Sequence, residues 1–302
     1  MSLKQTDLEN HPYILPCLRE RARQLLALHE SNPRSAGIFA THQRWLLAHI
    51  SLAAYFENAR PPGRPGLYAA LVAQRAQEAD VASRNTAEAF LREMEAYGFM
   101  KAEVDAADQR VRRLVIPPHA MADVAAWAVG NLATLDAFDS GRRAETFKAA
   151  PEALAVLQPV AASAFLTTPV IRRPGAAFAL FDAVDEGGAL MDRLISTCAD
   201  EPSDDGRRVT GMAAVADFGE NVRLSRTHLT RKLREAEALG ALGWTGARGR
   251  SPIWISASFV ADYVRRQAAE LAAIDAGYQA AFGACGGSGS EFKEGAGLAG
   301  RN

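Results

Sequence analysis

Arg223, Arg226, Arg231, Lys232 and Arg234 fall within twelve residues that contain no acidic side chain. Neutralising a run of phosphates requires local density of this kind, because each contact releases condensed counterions and adds to affinity. Ser225, Thr227, His228 and Thr230 are interleaved with the cations and supply the hydrogen-bonding groups that read base edges. Farther on, Arg248 and Arg250 flank a glycine in "GARGRS", a tip suited to a backbone contact. A solvated basic helix face is the plain alternative. The order of the elements around the cluster decides between the two.

Other chemistries find little to work with. His11, His29, His42, His49, His119 and His228 are scattered, no Cys/His/carboxylate set has metal-ligand spacing, and no phosphate loop or nucleophile elbow is present. No catalytic residue, metal or cofactor is expected. Cys17, Cys198 and Cys285 are odd in number and far apart, which fits a reducing cytoplasm better than a disulfide framework. Cys17 lies in the first helix, where nothing nearby marks it as an activated thiol. The N-terminus has no leader pattern, and no run of about 18 apolar residues could span a bilayer. A net charge of −1 over 302 residues excludes binding of polyanions through bulk charge, so any such surface must be a local patch.

The elements that hold the basic cluster occur twice. "SRNTAEAFLREMEAYG" from Ser83 lies over "SRTHLTRKLREAEALG" from Ser225 without a gap, 142 positions apart. "ADVAAWAVGNLATLDA" from Ala122 matches "ADYVRRQAAELAAIDA" from Ala261 at an offset of 139. Upstream, "NPRSAGIF" and "RRPGAAFAL" hold comparable places, and the turn-rich loops "ARPPGRPG" and "EPSDDGRR" correspond. A period this long means duplicated domains, not a solenoid. The boundaries are 1–150, 151–283 and a flexible Gly/Ser-rich tail, 284–302.

Within the first copy, apolar spacing predicts helices near 13–30, 39–57 and 67–76. The next runs from the cap Ser83 to the stop Gly98. "MKAEVD" and "RVRRLVIP" alternate as a hairpin, and a long helix over 119–138 closes the copy. The second copy predicts helices near 152–165, 176–197 and 209–218, the Ser225 helix, the hairpin "LGWTGARGRSPIWIS" and a last helix near 257–282. Three helices followed by a hairpin is the winged helix-turn-helix arrangement, whose third helix enters the major groove while the wing lies along the backbone or minor groove. The fold class is therefore mainly α with small β-hairpin wings.

The first copy offers Ser83, Arg84, Asn85 and Thr86 on its helix and Arg110, Arg112 and Arg113 on its hairpin. It carries Glu88 where the second has Thr230, and Ala89 where the second has Arg231. A carboxylate facing phosphates repels them, so this helix is expected to bind more weakly.

On these residues the chain resembles the MarR-type winged-helix regulators. "SRTHLTRKLREAEALGAL" is similar to the family's recognition helix, including Thr230-Arg231 and the Gly240 before the wing. "DQR" at Asp108 to Arg110 looks like its wing signature, in which the arginine reaches the minor groove and the aspartate steadies it. The first copy departs at Glu88-Ala89, and the second lacks the wing aspartate. The resemblance implies dimers whose terminal helices intertwine, so two tandem winged helix-turn-helix domains imply a monomeric intramolecular pseudo-dimer. Its implied partner is double-stranded DNA, read at two half-sites roughly 34 Å apart. It also implies a transcriptional regulator, expected to be a repressor because occupancy alone suffices. A small phenolic or lipophilic effector in a cleft between dimerisation helices and DNA-binding lobes is implied too, and some relatives sense oxidants through an N-terminal cysteine. A tandem winged-helix interaction scaffold and a replication or partition initiator are the alternatives.

Overall fold

The computed structural model describes residues 2–31, 39, 41–58, 67–104, 112–218 and 225–283. The loop 59–66, the "DQR" wing tip with Arg110, Arg223 and the tail 284–302 lie outside them. The described chain is mainly helical with small antiparallel sheets. Its first part runs α1 (Gln5–Glu9), α2 (Ile14–Ser31), α3 (His42–Glu57), α4 (Ala69–Glu78), α5 (Arg84–Ala96), β1 (Lys101–Val104), β2 (Arg112–Val115), α6 (Pro118–Asp139) and α7 (Arg143–Ala149). After a single 3-10 turn come α8 (Leu154–Thr167), α9 (Pro169–Arg172), α10 (Ala176–Asp182), α11 (Gly187–Thr197) and β3 (Arg208–Val209). Another 3-10 turn, Val215–Phe218, leads to α12 (Arg226–Ala238), β4 (Leu242–Trp244), β5 (Ile253–Ile255) and α13 (Ala257–Phe282).

α5 and α12 are built the same way at both ends. Ser83 and Ser225 sit in extended backbone and their hydroxyls accept from the Thr86 and His228 amides, each at 3.2 Å, which satisfies one orphan donor per helix. Gly98 and Gly240 take the left-handed conformation, φ 80° and 67°. The next amides, of Phe99 and Ala241, then reach back to the Met94 and Ala236 carbonyls, a Schellman closure that favours glycine. A hairpin follows each helix. β1 pairs with β2 from Lys101↔Val115 to Val104↔Arg112, and β4 pairs with β5 from Leu242↔Ile255 to Trp244↔Ile253. Each hairpin gains a third segment from upstream: Leu67 bridges Leu114, and β3 pairs with β5 through Arg208↔Ile255 and Val209↔Trp254.

Besides the added α9, the second part departs from its sequence-based outline in two places. The helix expected over 176–197 breaks between α10 and α11, where Glu186 is left-handed at φ 62°. The turn requires glycine next to it: a Cβ on residue 187 would lie 1.7 Å from the Phe181 carbonyl oxygen. The expected helix over 209–218 is instead β3 and a 3-10 turn, because Arg208–Val209 joins the sheet. α1, α7 and α9 were not expected. The final helix keeps its expected bounds.

One hydrophobic core runs through both parts. α2 of the first part packs along α11 of the second, and α8 of the second packs along α3 of the first. This exchange is reciprocal, as across a two-fold dimer interface. α13 packs along α8, with Gly277 so close that a Cβ there would stand 2.5 Å from the Leu157 carbonyl oxygen. Beside that crossing Asp275 is fully buried, accepting from the Leu3 amide and from Arg143 Nε, each at 2.7 Å. Arg143 also reaches Asp139 and Asp136. No single helix among the described residues is long and apolar enough to cross a membrane.

Candidate nucleic-acid interface and the cavity behind it

α12 turns Leu229, Leu233 and Ala236 inward. Thr227, Thr230, Arg231 and Arg234, spaced i, i+3, i+4, i+7, then share the opposite side, where Thr227, Arg231 and Arg234 are exposed and Thr230 half-buried. Ser225 and Arg226 are exposed at the helix start and His228 is half-buried. Thr230 donates its hydroxyl proton to the Arg226 carbonyl at 2.7 Å, leaving its oxygen lone pairs outward. Arg231 keeps a loose contact of 3.6 Å to Glu235 with its side chain 66% exposed. Among the described residues Arg226, Arg234 and Arg250 have no ion-pair partner. The wing folds on tryptophans: Trp244 Nε1 donates to the Ala213 carbonyl, Trp254 Nε1 donates to the Trp244 carbonyl, and Arg207 lies 4.0 Å over the Trp254 ring. Arg248 pairs with Glu237 and lies over Trp244.

The first part presents the same frame with its described wing arginines paired, while on α5 Arg84 keeps only a loose contact and Arg92 is exposed without an ion pair among the described residues. Ser83, Arg84, Asn85 and Thr86 are all exposed at the start of α5. Arg84, however, contacts Glu88 at 3.6 Å, Arg112 pairs with Glu95 at 2.7 Å and Arg113 with Glu103 at 2.7 Å. Arg113 is turned in, its side chain only 13% exposed. Of the three hairpin arginines, Arg112 and Arg113 are thus already held by carboxylates of the same repeat. Arg110 and Arg223 lie outside the described residues.

Behind α5 lies a cavity of about 390 Å³ that the sequence does not reveal. Its walls come from α2, α3, α5 and α6 of the first part and from α10, α11 and α13 of the second. Trp45 and Trp127 form aromatic walls and Phe90 and Met94, from the inner side of α5, close one end. Beside the Trp45 ring, Arg266 Nε donates to Glu270 at 2.7 Å and its Nη1 to Asp182 at 3.2 Å. Arg21 donates twice to Asn131 Oδ1, at 3.0 and 2.8 Å, and also to Gln267. These partners are up to 246 positions apart, so only the interlocked helices bring them together. The available signal was polar residues on an apolar helix face, as with Arg266, Gln267 and Glu270.

Burial sets the protonation of this region. Asp182 is raised to about 6 by burial, with Arg266 opposing, and Asp192 to about 6 by burial, with the Tyr263 hydroxyl opposing. His49 is lowered to about 3 by burial, and His42 to about 3 by burial and then by the Arg266 and Arg172 charges. The Gln158 amide contacts His49 Nδ1 at 2.7 Å, consistent with donation to a neutral imidazole. Cys17 is raised by burial alone, the direction of an unreactive thiol.

Two opposed proton linkages follow. Between about pH 6 and 4 the unfolded chain binds protons at His42 and His49 that the folded chain refuses. Over the same window the folded chain binds protons at Asp182 and Asp192 that the unfolded chain does not, and the two contributions offset. Below about pH 4 the unfolded carboxylates protonate too, leaving the histidines to destabilise the fold. Asp139, lowered chiefly by its hydrogen bonds from Arg143, adds to that fall. The urea midpoint is expected to stay nearly level from about pH 6 to 4 and then drop. His49→Gln should make stability rise on acidification through the level window. A midpoint that slides steadily in the parent protein would contradict this assignment.

No family model, no curated protein and no solved structure matches this chain.

Proposed function

We propose that the chain is a sequence-specific double-stranded-DNA-binding transcriptional regulator of MarR type, with two non-equivalent winged-helix repeats in one polypeptide, acting as a repressor. The observation that carries the reading is the pair α5 and α12, capped and closed alike 142 positions apart and each followed by a hairpin with a third upstream segment. In a winged helix-turn-helix the helix before the hairpin enters the major groove and the wing lies along the backbone; in the second repeat the 3-10 turn Val215–Phe218 stands where the unit's second helix was expected. Of the two helices, α12 carries the denser exposed cationic face: Arg226 and Arg234 have no ion pair among the described residues, against Arg92 alone on α5. The second repeat is therefore the principal reader, and the first contributes register and a weaker half-site. The reciprocal packing of α2 on α11 and α8 on α3 supports a pseudo-dimer held within one chain, whose operator need not be palindromic.

The test is binding of the intact chain to a pool of random duplexes, followed by selection and repeated at two salt concentrations. Retention at low salt that weakens steeply as salt rises is the expected behaviour, with an asymmetric pair of half-sites emerging on selection. If no duplex is retained even at low salt, the regulator reading fails and an interaction scaffold takes its place. Symmetric half-sites of equal strength would retain DNA binding but remove the claim that the repeats are non-equivalent.

A further inference from the structure

The walls of the cavity carry the carboxylates of Asp123, Asp182, Glu186, Asp192 and Glu270 against the guanidiniums of Arg21 and Arg266. Neither guanidinium is available to a ligand anion. Arg266 engages Glu270, Asp182, the Ile171 carbonyl and His42 Nδ1, and Arg21 engages Asn131 and Gln267. A phenolate or carboxylate entering here would have to break those bonds and face a wall whose negative charges outnumber its positive ones. Asp192 accepts the Tyr263 hydroxyl at 2.6 Å and has no ion pair among the described residues, although the Arg21 and Glu270 charges act on it at longer range. The same cavity is lined by aromatic rings of a kind that already attracts one cation, since Arg266 lies 5.6 Å from the Trp45 ring centroid and 5.4 Å from that of Phe178, and Trp127 lines it as well. An organic ammonium gains from both features, pairing with the carboxylate and lying against the electron-rich ring faces.

We propose that this cavity binds an amphiphilic organic cation, an apolar or aromatic body bearing an ammonium group, with the ammonium at Asp192 and the body against Trp45 and Trp127. A cavity of about 390 Å³ is in the range that holds compact drug-sized molecules. The site is asymmetric: Phe90, Met94 and Ile116 line it, but no described residue of α12 does. The ligand therefore touches the helix and wing of the first repeat from behind, while in the second repeat it meets α10, α11 and α13 but not the reading helix α12. Its regulatory consequence, weakened binding at the first half-site, rests on the DNA-binding reading above. Occupancy of the cavity does not.

The experiment titrates the intact chain, without DNA, against phenethyltrimethylammonium, 3-phenylpropanoate and 3-phenylpropan-1-ol. Tryptophan fluorescence reports the cavity, because Trp45 and Trp127 line it, and calorimetry gives an independent affinity. The cation is expected to bind at least about tenfold more tightly than the anion at low salt. Asp192→Asn retains an acceptor for Tyr263 and should weaken the cation about tenfold while leaving the alcohol unchanged. A cation that binds no better than the anion, an Asp192→Asn loss shared equally by cation and alcohol, or no saturable binding of any probe would each overturn the proposal. Circular dichroism of the variant excludes unfolding as the cause of a loss. Cation binding without DNA binding would sink the regulator reading alone, and the converse would sink this site alone.

Discussion

Arg143→Ala is expected to destabilise the protein by about 3–5 kcal/mol, the range for removing one partner of a buried ion pair. Arg143 has a side chain 7% exposed and donates Nε to the fully buried Asp275 at 2.7 Å, with Asp139 on its other nitrogens. Its loss leaves Asp275 with the Leu3 amide as its remaining hydrogen bond among the described residues. An uncompensated carboxylate in the core is costlier than the pair was beneficial, because desolvation of the charge is no longer offset. The position matters as much as the size. Arg143 is in α7, which joins the two repeats, and Asp275 is two residues from Gly277, where α13 crosses α8. With one core through both repeats, the variant should still unfold in a single transition with its urea midpoint lowered. Two resolved transitions, one at the parent midpoint, would show that the repeats fold independently and that the interlock is not cooperative. Asp275→Asn should cost less than Arg143→Ala, because it removes the buried charge while keeping an acceptor for Leu3.

The sequence made the frame of the fold legible where local physics settles it. Ser83 and Ser225 announce helix starts, Gly98 and Gly240 announce stops, and alternation marks both hairpins. Each signal is complete within a dozen residues and needs no tertiary partner. The break between α10 and α11 was hidden because apolar spacing continues across it. The turn brings residue 187 so close to the Phe181 carbonyl that only glycine fits, and the Gly187-Gly188 pair was the faint local sign of it. β3 was hidden because two residues carry no period, and only β5 makes them a strand. The exposed cations of α12 were legible as a cluster. That Arg112 and Arg113 are held by Glu95 and Glu103 was not, since pairing depends on the register of β1 against β2 and on the packing of α5. The cavity was least legible of all: Arg21, Asp192 and Arg266 come from three helices of two repeats, and their chemistry exists only once those helices interlock.

Replacing Arg226, Arg231 and Arg234 together by alanine is expected to lower affinity for the selected duplex by about 100-fold or more, given roughly 1–3 kcal/mol for a good base-edge contact and a smaller loss per phosphate. All three are exposed, and none packs in the core, so stability should change little and the loss should report binding. The salt dependence separates two contributions. Each phosphate contact removed should reduce the slope of log affinity against log salt by about one, whereas a lost base contact relaxes sequence preference and leaves the slope alone. Arg231, which shares a side with Thr227 and Thr230, is the residue expected to carry sequence preference. Arg234, a turn farther along, is expected to act through the slope. The matched control is Arg92, which occupies the position of Arg234 on α5. Arg92→Ala should cost several-fold less than Arg231→Ala, because α5 places Glu88 and Ala89 where α12 has Thr230 and Arg231. If Arg92→Ala and Arg231→Ala weaken binding equally, the two helices contribute alike and the second repeat does not lead. If the triple variant binds as the parent does, the basic face of α12 is a solvated surface after all.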